Sequence, residues 1–253
     1  MLEVQGLGKS FGGIHAVQDI DFAVSKGQIV SLIGPNGAGK TTCFNLITGF
    51  YQPSRGQVRW DGQDVTGSRP YDMAQRGVIR TFQKTNVLRS LPVFDNLVHA
   101  QYMQDRDPLW RTFWPGRRRQ AQSRQMDEAA GALLELVGLS RRADVQAGSL
   151  SCGELRLLEV AVALAARPRL LMLDEPAAGL NTREAEHLAE LLRSLPGQWV
   201  ESVLVVEHNM NLIMRVSDHI VVMNFGKKLA SGTPAQIQAD EQVLEAYMGR
   251  KAA

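Results

Sequence analysis

Three stretches of this 253-residue chain bring together residue types that do chemistry. The first is GPNGAGKTT, Gly34 to Thr42, a Gly-rich run that closes on Lys40 and the hydroxyls of Thr41 and Thr42. It satisfies the pattern G-x-x-x-x-G-K-[ST], whose glycines let backbone amides turn inward around an anion while the lysine supplies a cation. Gly34, Pro35, Asn36, Gly37, Ala38, Gly39, Lys40, Thr41 and Thr42 are therefore the expected cradle of a nucleoside triphosphate. Lys40 would reach the β and γ oxygens and Thr41 would ligate Mg2+. The plain alternative is a Gly-rich turn carrying a solvated lysine. The setting between a buried strand and a helix weighs against it.

The second stretch is LLMLDEP, in which an apolar run carries Asp174 to the carboxyl end of a buried strand with Glu175 next in the chain. Adjacent acids at such a place take different tasks: Asp174 would hold the Mg2+ shell, and Glu175, one step beyond the strand, would take a proton from an attacking water. A solvated Asp-Glu turn before Pro176 is the bland reading. Beside a phosphate cradle the chemical reading is the stronger. The third stretch, LSCGE, admits two uses. Ser151 and Glu154 stand three apart in the capping-box pattern, yet a serine and a glycine at the mouth of a helix also form an anion site. The residues alone leave both open.

Elements must position these groups, and periodicity supplies them. The first 35 residues alternate in the strand manner, with Leu2 and Val4, then Ile20, Phe22 and Val24, apolar against polar neighbours. QIVSLIGPNG, RLLMLDEP and SVLVVEH are continuous apolar runs of the kind that form strands buried on both faces, and helical patterns follow them. Between Gln83 and Leu150 the spacing of VFDNLVHAQYM and MDEAAGALLELVGL is helical, so a helical insert is expected there. With 44% apolar and 21% charged side chains the chain can bury a sizeable core. A net charge of +2 is too balanced for a protein whose main partner is nucleic acid. The only cysteines, Cys43 and Cys152, make no disulfide framework, and the start MLEVQGLGKSF lacks the apolar core of a signal peptide, so a reduced, cytosolic setting is expected. No apolar run is long enough to span a bilayer.

GPNGAGKTT, Gln83 in RTFQ, LSCGE, LLMLDEP, AAGLN and His208 in VVEH, in that order, resemble the ATP-binding subunits of ABC transporters over essentially the whole chain. RTFQ, LDEPAAGLN, EHNMNLIMRVSD and the tail GTPAQIQADEQVLEAYMG are similar, within that family, to the branched-chain amino-acid importer ATPases. The resemblance implies an α/β fold: a P-loop NTPase core with a mixed sheet, N-terminal antiparallel β strands and a helical insert subdomain. One domain would cover 1–253, with core parts 1–83 and 150–230, the helical subdomain at 84–149 and a C-terminal helical tail at 231–253. It implies that Phe11 stacks on adenine, that Gln83 touches the metal and senses the membrane partner, and that His208 joins Lys40 and Glu175 in catalysis by holding the γ-phosphate. It also implies that two ATPases pack head to tail, so that Ser151, Gly153 and Glu154 close over the nucleotide held by the other chain. Cys152, Leu155, Leu157 and Asn181 depart from the family pattern. The two leucines put contacts at the dimer seam in question.

DPLWRTFWPGRRRQAQSRQ mixes tryptophans with Arg111, Arg117, Arg118, Arg119 and Arg124, and reads either as a solvated face or as a membrane-side contact. The expected function is the ATPase of a membrane importer for amino acids, branched-chain ones first, using ATP and Mg2+. The expected partners are a second ATPase subunit, paralogous or identical, two transmembrane permease subunits and, indirectly, an extracytoplasmic substrate-binding protein, with no nucleic acid. The chain would sit peripherally on the cytoplasmic face of the inner membrane. A urea or short-chain amide importer is the alternative within the class; a soluble non-transport ABC ATPase or a regulatory nucleotide binder lies outside it.

Overall fold

Two sheets form, and the burial pattern of their strands explains why they differ. The computed structural model describes residues 1–81, 87–102 and 117–248, with the backbone alone over 117–122 and at 248. In the first sheet β1 (Leu2–Phe11) pairs antiparallel with β2 (Ile14–Val24), and β4 (Arg55–Trp60) with β5 (Gln63–Asp64) extends the order to β2-β1-β4-β5. Leu2, Val4, Leu7, Val17, Ile20, Val24, Val58 and Trp60 turn to one face and are buried, which leaves the polar partners on the wet side. β4 and β5 carry no periodic signal in the sequence, because QVRW and QD are too short for an alternation to register.

The second sheet has the order β10-β9-β3-β8-β7-β6. β3 (Ile29–Ile33), β7 (Leu170–Asp174) and β8 (Ser202–Val206) are buried at every position, as their continuous apolar runs require. β6 (Val78–Arg80) and β9 (His219–Asn224) extend the parallel set, and β10 (Lys227–Gly232) returns antiparallel to β9. The β9–β10 turn holds Phe225 and Gly226 at φ 46° and 78°.

Each face of this sheet carries its own apolar cluster. Val30 and Leu32 of β3 face α1 (Lys40–Ile47), whose Cys43, Phe44, Leu46 and Ile47 fill the space toward the first sheet. Ile29 and Ile33 face the opposite cluster, to which other helices contribute. These are α3 (Val93–Tyr102), α4 (Arg117–Leu136), α5 (Cys152–Ala165), α6 (Thr182–Ser194), α7 (Met210–Val216), α8 (Pro234–Gln238) and α9 (Glu241–Met248). Short α2 (Pro70–Gln75), with proline in its first turn, leads into β6. Leu97 of α3, Leu133 and Leu134 of α4, and Leu158 of α5 share one cluster with Leu171 and Val203 of the sheet, so the helical stretch is bound into the same core. No helix of the described residues is long and apolar enough to cross a membrane.

Candidate nucleotide site

β3 delivers the Gly34 to Thr42 loop, and three glycine conformations shape it. Gly34, Gly37 and Gly39 have φ of 151°, 80° and 96°. At Gly34 a Cβ would lie 2.1 Å from the Met223 carbonyl oxygen, and at Gly39 2.4 Å from that of Ala16, so neither position admits a side chain. Gly37 faces open space. The loop thereby packs its outer side against β2 and β9 while its inner side stays bare, the form a backbone cradle for phosphate needs. Gly39 is the N-cap of α1, and no side chain of the described residues caps that terminus. Its first amides and the helix dipole are left for an anion.

Lys40 is buried and donates from Nζ to the carbonyl oxygens of Gly34 at 2.6 Å and Pro35 at 3.1 Å. Burial lowers its pKa from the ordinary lysine value, and the negative charges of Glu175, Asp174 and Glu207 oppose that shift. A cavity of about 550 Å3 surrounds the loop, lined by Asn36 to Thr42 together with Ile14, His15, Ala16, Glu175, Phe225 and Gly226.

The acids expected from LLMLDEP stand at the carboxyl end of β7. Asp174 is fully buried in its side chain, and its Oδ2 accepts from Arg80 Nη2 at 2.7 Å. Its Oδ1 is buried and has no hydrogen-bond partner among the described residues. A bare, buried carboxylate oxygen beside a phosphate cradle suits one ligand position of a divalent ion. Magnesium sites commonly take one carboxylate, a hydroxyl and phosphate oxygens rather than an all-protein cage, so Asp174 and Thr41 fit such an ion. Glu175 sits at φ 50°, an unusual backbone state for a residue with a side chain, and unlike Asp174 it lines the cavity. His208, after β8, brings Nδ1 to 3.9 Å from Glu175 Oε1 and 3.7 Å from Glu207 Oε2.

Glu207, next to His208, is given a role by no sequence motif, yet the structure places it at the centre of this corner. Its fully buried carboxylate accepts backbone N–H groups from Ala177 at 2.8 Å, His208 at 2.7 Å and Asn209 at 2.9 Å. These bonds tie the chain after Glu175 to the chain carrying His208. Its place in VVEH, at the end of an apolar run, was the available signal.

The LSCGE segment folds as a cap. Ser151 is the N-cap of α5: its hydroxyl accepts from the Glu154 amide at 3.2 Å, and Glu154 Oε2 accepts from the Ser151 amide at 2.9 Å. Arg142 binds the other Glu154 oxygen at 2.9 Å. The bonds from Ser151, then Arg142, hold the Glu154 carboxyl below its ordinary pKa. Asn181 forms a second capping box with Glu184 at the start of α6, which explains how asparagine serves at that position. The two helix starts mesh, since a Cβ on Gly153 would lie 2.4 Å from Glu184 Oε1. Leu155 and Leu157 are half-buried against the chain's own apolar cluster.

Ser151, Gly153 and Glu154 are not among the residues lining the cavity at Lys40, and neither is Phe11. The Phe11 ring instead meets Tyr51 edge-on at 5.4 Å and carries Lys9 Nζ at 5.0 Å. Ile14 and Phe225, 73% and 83% exposed, line the cavity, and no sequence motif marks them. Gln83 and Arg111 lie outside the described residues, as do the side chains of Arg117, Arg118 and Arg119.

Residues 17–178 match the family model described as ABC transporter, and residues 227–253 match the branched-chain amino acid ATP-binding cassette transporter model. The high-affinity branched-chain amino acid transport ATP-binding protein BraF of Pseudomonas aeruginosa is 43% identical over 98% of each chain. The corresponding LivG protein of Escherichia coli is 44% identical over 98% of each chain. Among solved structures, an ATP-binding cassette of an ABC transporter in its ADP conformation superposes with a TM-score of 0.85 at 31% identity, covering 99% of both chains.

Proposed function

The chain belongs to the ABC transporter family of ATP-binding proteins, and we propose that it is the ATP-hydrolysing subunit of a membrane importer for branched-chain amino acids. The observation that carries this reading is likeness along the whole length, including the C-terminal 227–253 segment, to proteins named for that transport. ATP is the substrate. In the proposed working state the amides of Gly37 to Lys40 and the Lys40 ammonium bind the phosphates, and Thr41 and Asp174 hold Mg2+. Bound Mg2+ supplies neutralisation of charge on the phosphate oxygens. Glu175 takes the proton of the attacking water, and His208 binds the γ-phosphate. Gln83 would read the state of the membrane partner, and Phe11 would flank the base.

A dimer is part of the proposal: the α5 start of one chain would face the nucleotide of a second ATPase, paralogous or identical. That Ser151, Gly153 and Glu154 do not line this chain's own cavity supports such sharing. Two permease subunits would carry the solute, an extracytoplasmic binding protein would present it, and the ATPase would lie on the cytoplasmic face of the inner membrane.

The test is reconstitution of the complex in proteoliposomes with external binding protein. ATP-dependent leucine uptake is expected, and Glu175→Gln is expected to keep ATP binding while hydrolysis and uptake fall below about a tenth of wild type, because the amide accepts no proton at neutral pH. Uptake of urea or a short-chain amide with no response to leucine, isoleucine or valine would replace the substrate assignment and leave the ATPase reading in place.

A further inference from the structure

Arg80 ends β6, far in sequence from the phosphate loop and from β7, yet its guanidinium joins both. The side chain is 8% exposed and meets the fully buried Asp174 with Nη2 at 2.7 Å from Oδ2. Nη1 donates to Asn45 Oδ1 of the helix whose first residue is Lys40 and, at 3.5 Å, to the hydroxyl of Thr48, which caps the C-terminal end of that helix. The Phe44 and Phe50 rings lie 5.0 and 5.8 Å from its central carbon, so the cation is fixed between aromatic faces and a forked set of acceptors.

The charges around Asp174 explain why such an arrangement is needed. Among the described residues its Oδ1 has no hydrogen-bond partner, and a buried carboxylate is costly unless counter-charge stands beside it. Lys40 is a second cation near it among the described residues, and it donates to the loop carbonyls. Only Oδ2 is engaged by Arg80 in a direct bond, which leaves Oδ1 for a second cation.

We propose that Arg80 is a positioning residue for the metal-side carboxylate: it is the resident counter-charge that holds Asp174 by one oxygen, with the other free for the ion that arrives with the nucleotide. The proposal rests on Asp174 as the Mg2+ ligand, and it makes the guanidinium the joint between β6, the cradle helix and the end of β7. Arg80 and the divalent ion then support the same carboxylate from opposite oxygens, so the loss of one is felt most when the other is missing.

Unfolding temperature of the isolated chain reads this directly, with ATP present in either EDTA or excess Mg2+. Arg80→Leu is expected to lower the midpoint by roughly 10 °C in EDTA, the scale of a broken buried pair. Mg2+ should recover at least half of that loss. The double variant Arg80→Leu with Asp174→Asn should unfold in EDTA several degrees above Arg80→Leu, because no uncompensated charge is left. Equal losses in EDTA and Mg2+, or a double variant no more stable than the single, would overturn the proposal. Should Arg80→Leu fail to fold, Arg80→Lys alone and with Asp174→Asn carries the same comparison, since a lysine keeps the charge but loses the fork. Asp174→Asn alone separates the two readings. If it responds to Mg2+ as wild type does, Asp174 is not the metal ligand, and Arg80 is then judged on the EDTA comparison only.

Discussion

At the start of α1 the N-cap is Gly39 and, among the described residues, no side chain accepts from the first amides, whereas at the start of α5 Ser151 and Glu154 form a reciprocal capping box. Both termini present the same electrostatics: orphan N–H groups and the positive end of a helix dipole. The α1 end is held open by glycine geometry, with Gly39 locked under the Ala16 carbonyl and Lys40 turned back on the loop. The α5 end is closed by its own residues and anchored further by Arg142. A terminus left bare binds an anion without rearrangement, and a terminus already capped does so only if its cap yields. On the proposed function the first is a site in the chain alone. The second becomes one, on the shared-site proposal, only when a partner brings the phosphate.

Ser151→Asp breaks the comparison most sharply. Aspartate caps as well as serine, so unfolding temperature should stay within about 2 °C of wild type. In the assembled complex the new carboxylate would meet phosphate in a water-poor seam, and turnover should fall more than about tenfold, with ATP affinity of the isolated chain unchanged. Near-wild-type turnover would leave the α5 start as a cap and nothing more.

Gly39→Ala attacks the other end. With φ at 96° and no room beside Ala16, it should lose about 2 to 3 kcal/mol of stability and weaken ATP binding, while Gly37→Ala, at φ 80° but in open space, should lose about half as much. Calorimetry of the two variants checks the ranking, and equal losses would show that backbone strain alone, without the close approach, shapes the cradle. Ser151→Ala is a smaller change: about 1 kcal/mol, a shift of about 2 to 4 °C, measured in the isolated chain.

The smallest effect is in pH. The Glu154 carboxyl is held below its ordinary pKa by Ser151 and Arg142, so the stability it adds is present above the unfolded carboxylate pKa of about 4.3 and is lost as pH falls through the lower, folded value. The difference in unfolding temperature between wild type and Glu154→Gln should therefore shrink on acidification from about pH 5 to pH 3. A constant difference across that range would mean that the box draws nothing from the charge.

Local grammar made the cradle and the cap readable. GPNGAGKTT encodes its own turn through glycine, and Ser151 with Glu154 encodes its cap at a spacing of three. The buried strands β3, β7 and β8 were legible because burial on both faces leaves an unbroken apolar run. What stayed hidden depends on partners distant in sequence. Arg80 meets Asp174 across 94 positions, and nothing around RTFQ marks its arginine as a counter-charge. Glu207 gains its role from the Ala177 amide, 30 positions away. Ile14 and Phe225 border the cavity because the β1–β2 and β9–β10 turns converge there, a property of sheet topology that no local pattern expresses.

The contact of Gly153 with Glu184 has a consequence for how this chain can change by mutation. Any side chain at 153 must displace the Glu184 carboxylate, and displacing or shortening Glu184 disturbs the capping box it forms with Asn181. Each single step is unfavourable, the second by about 1 kcal/mol on capping alone, so the pair is reachable only together or through a less stable intermediate. The beginnings of α5 and α6 thus behave as one heritable unit, although 31 positions separate the two residues in the chain.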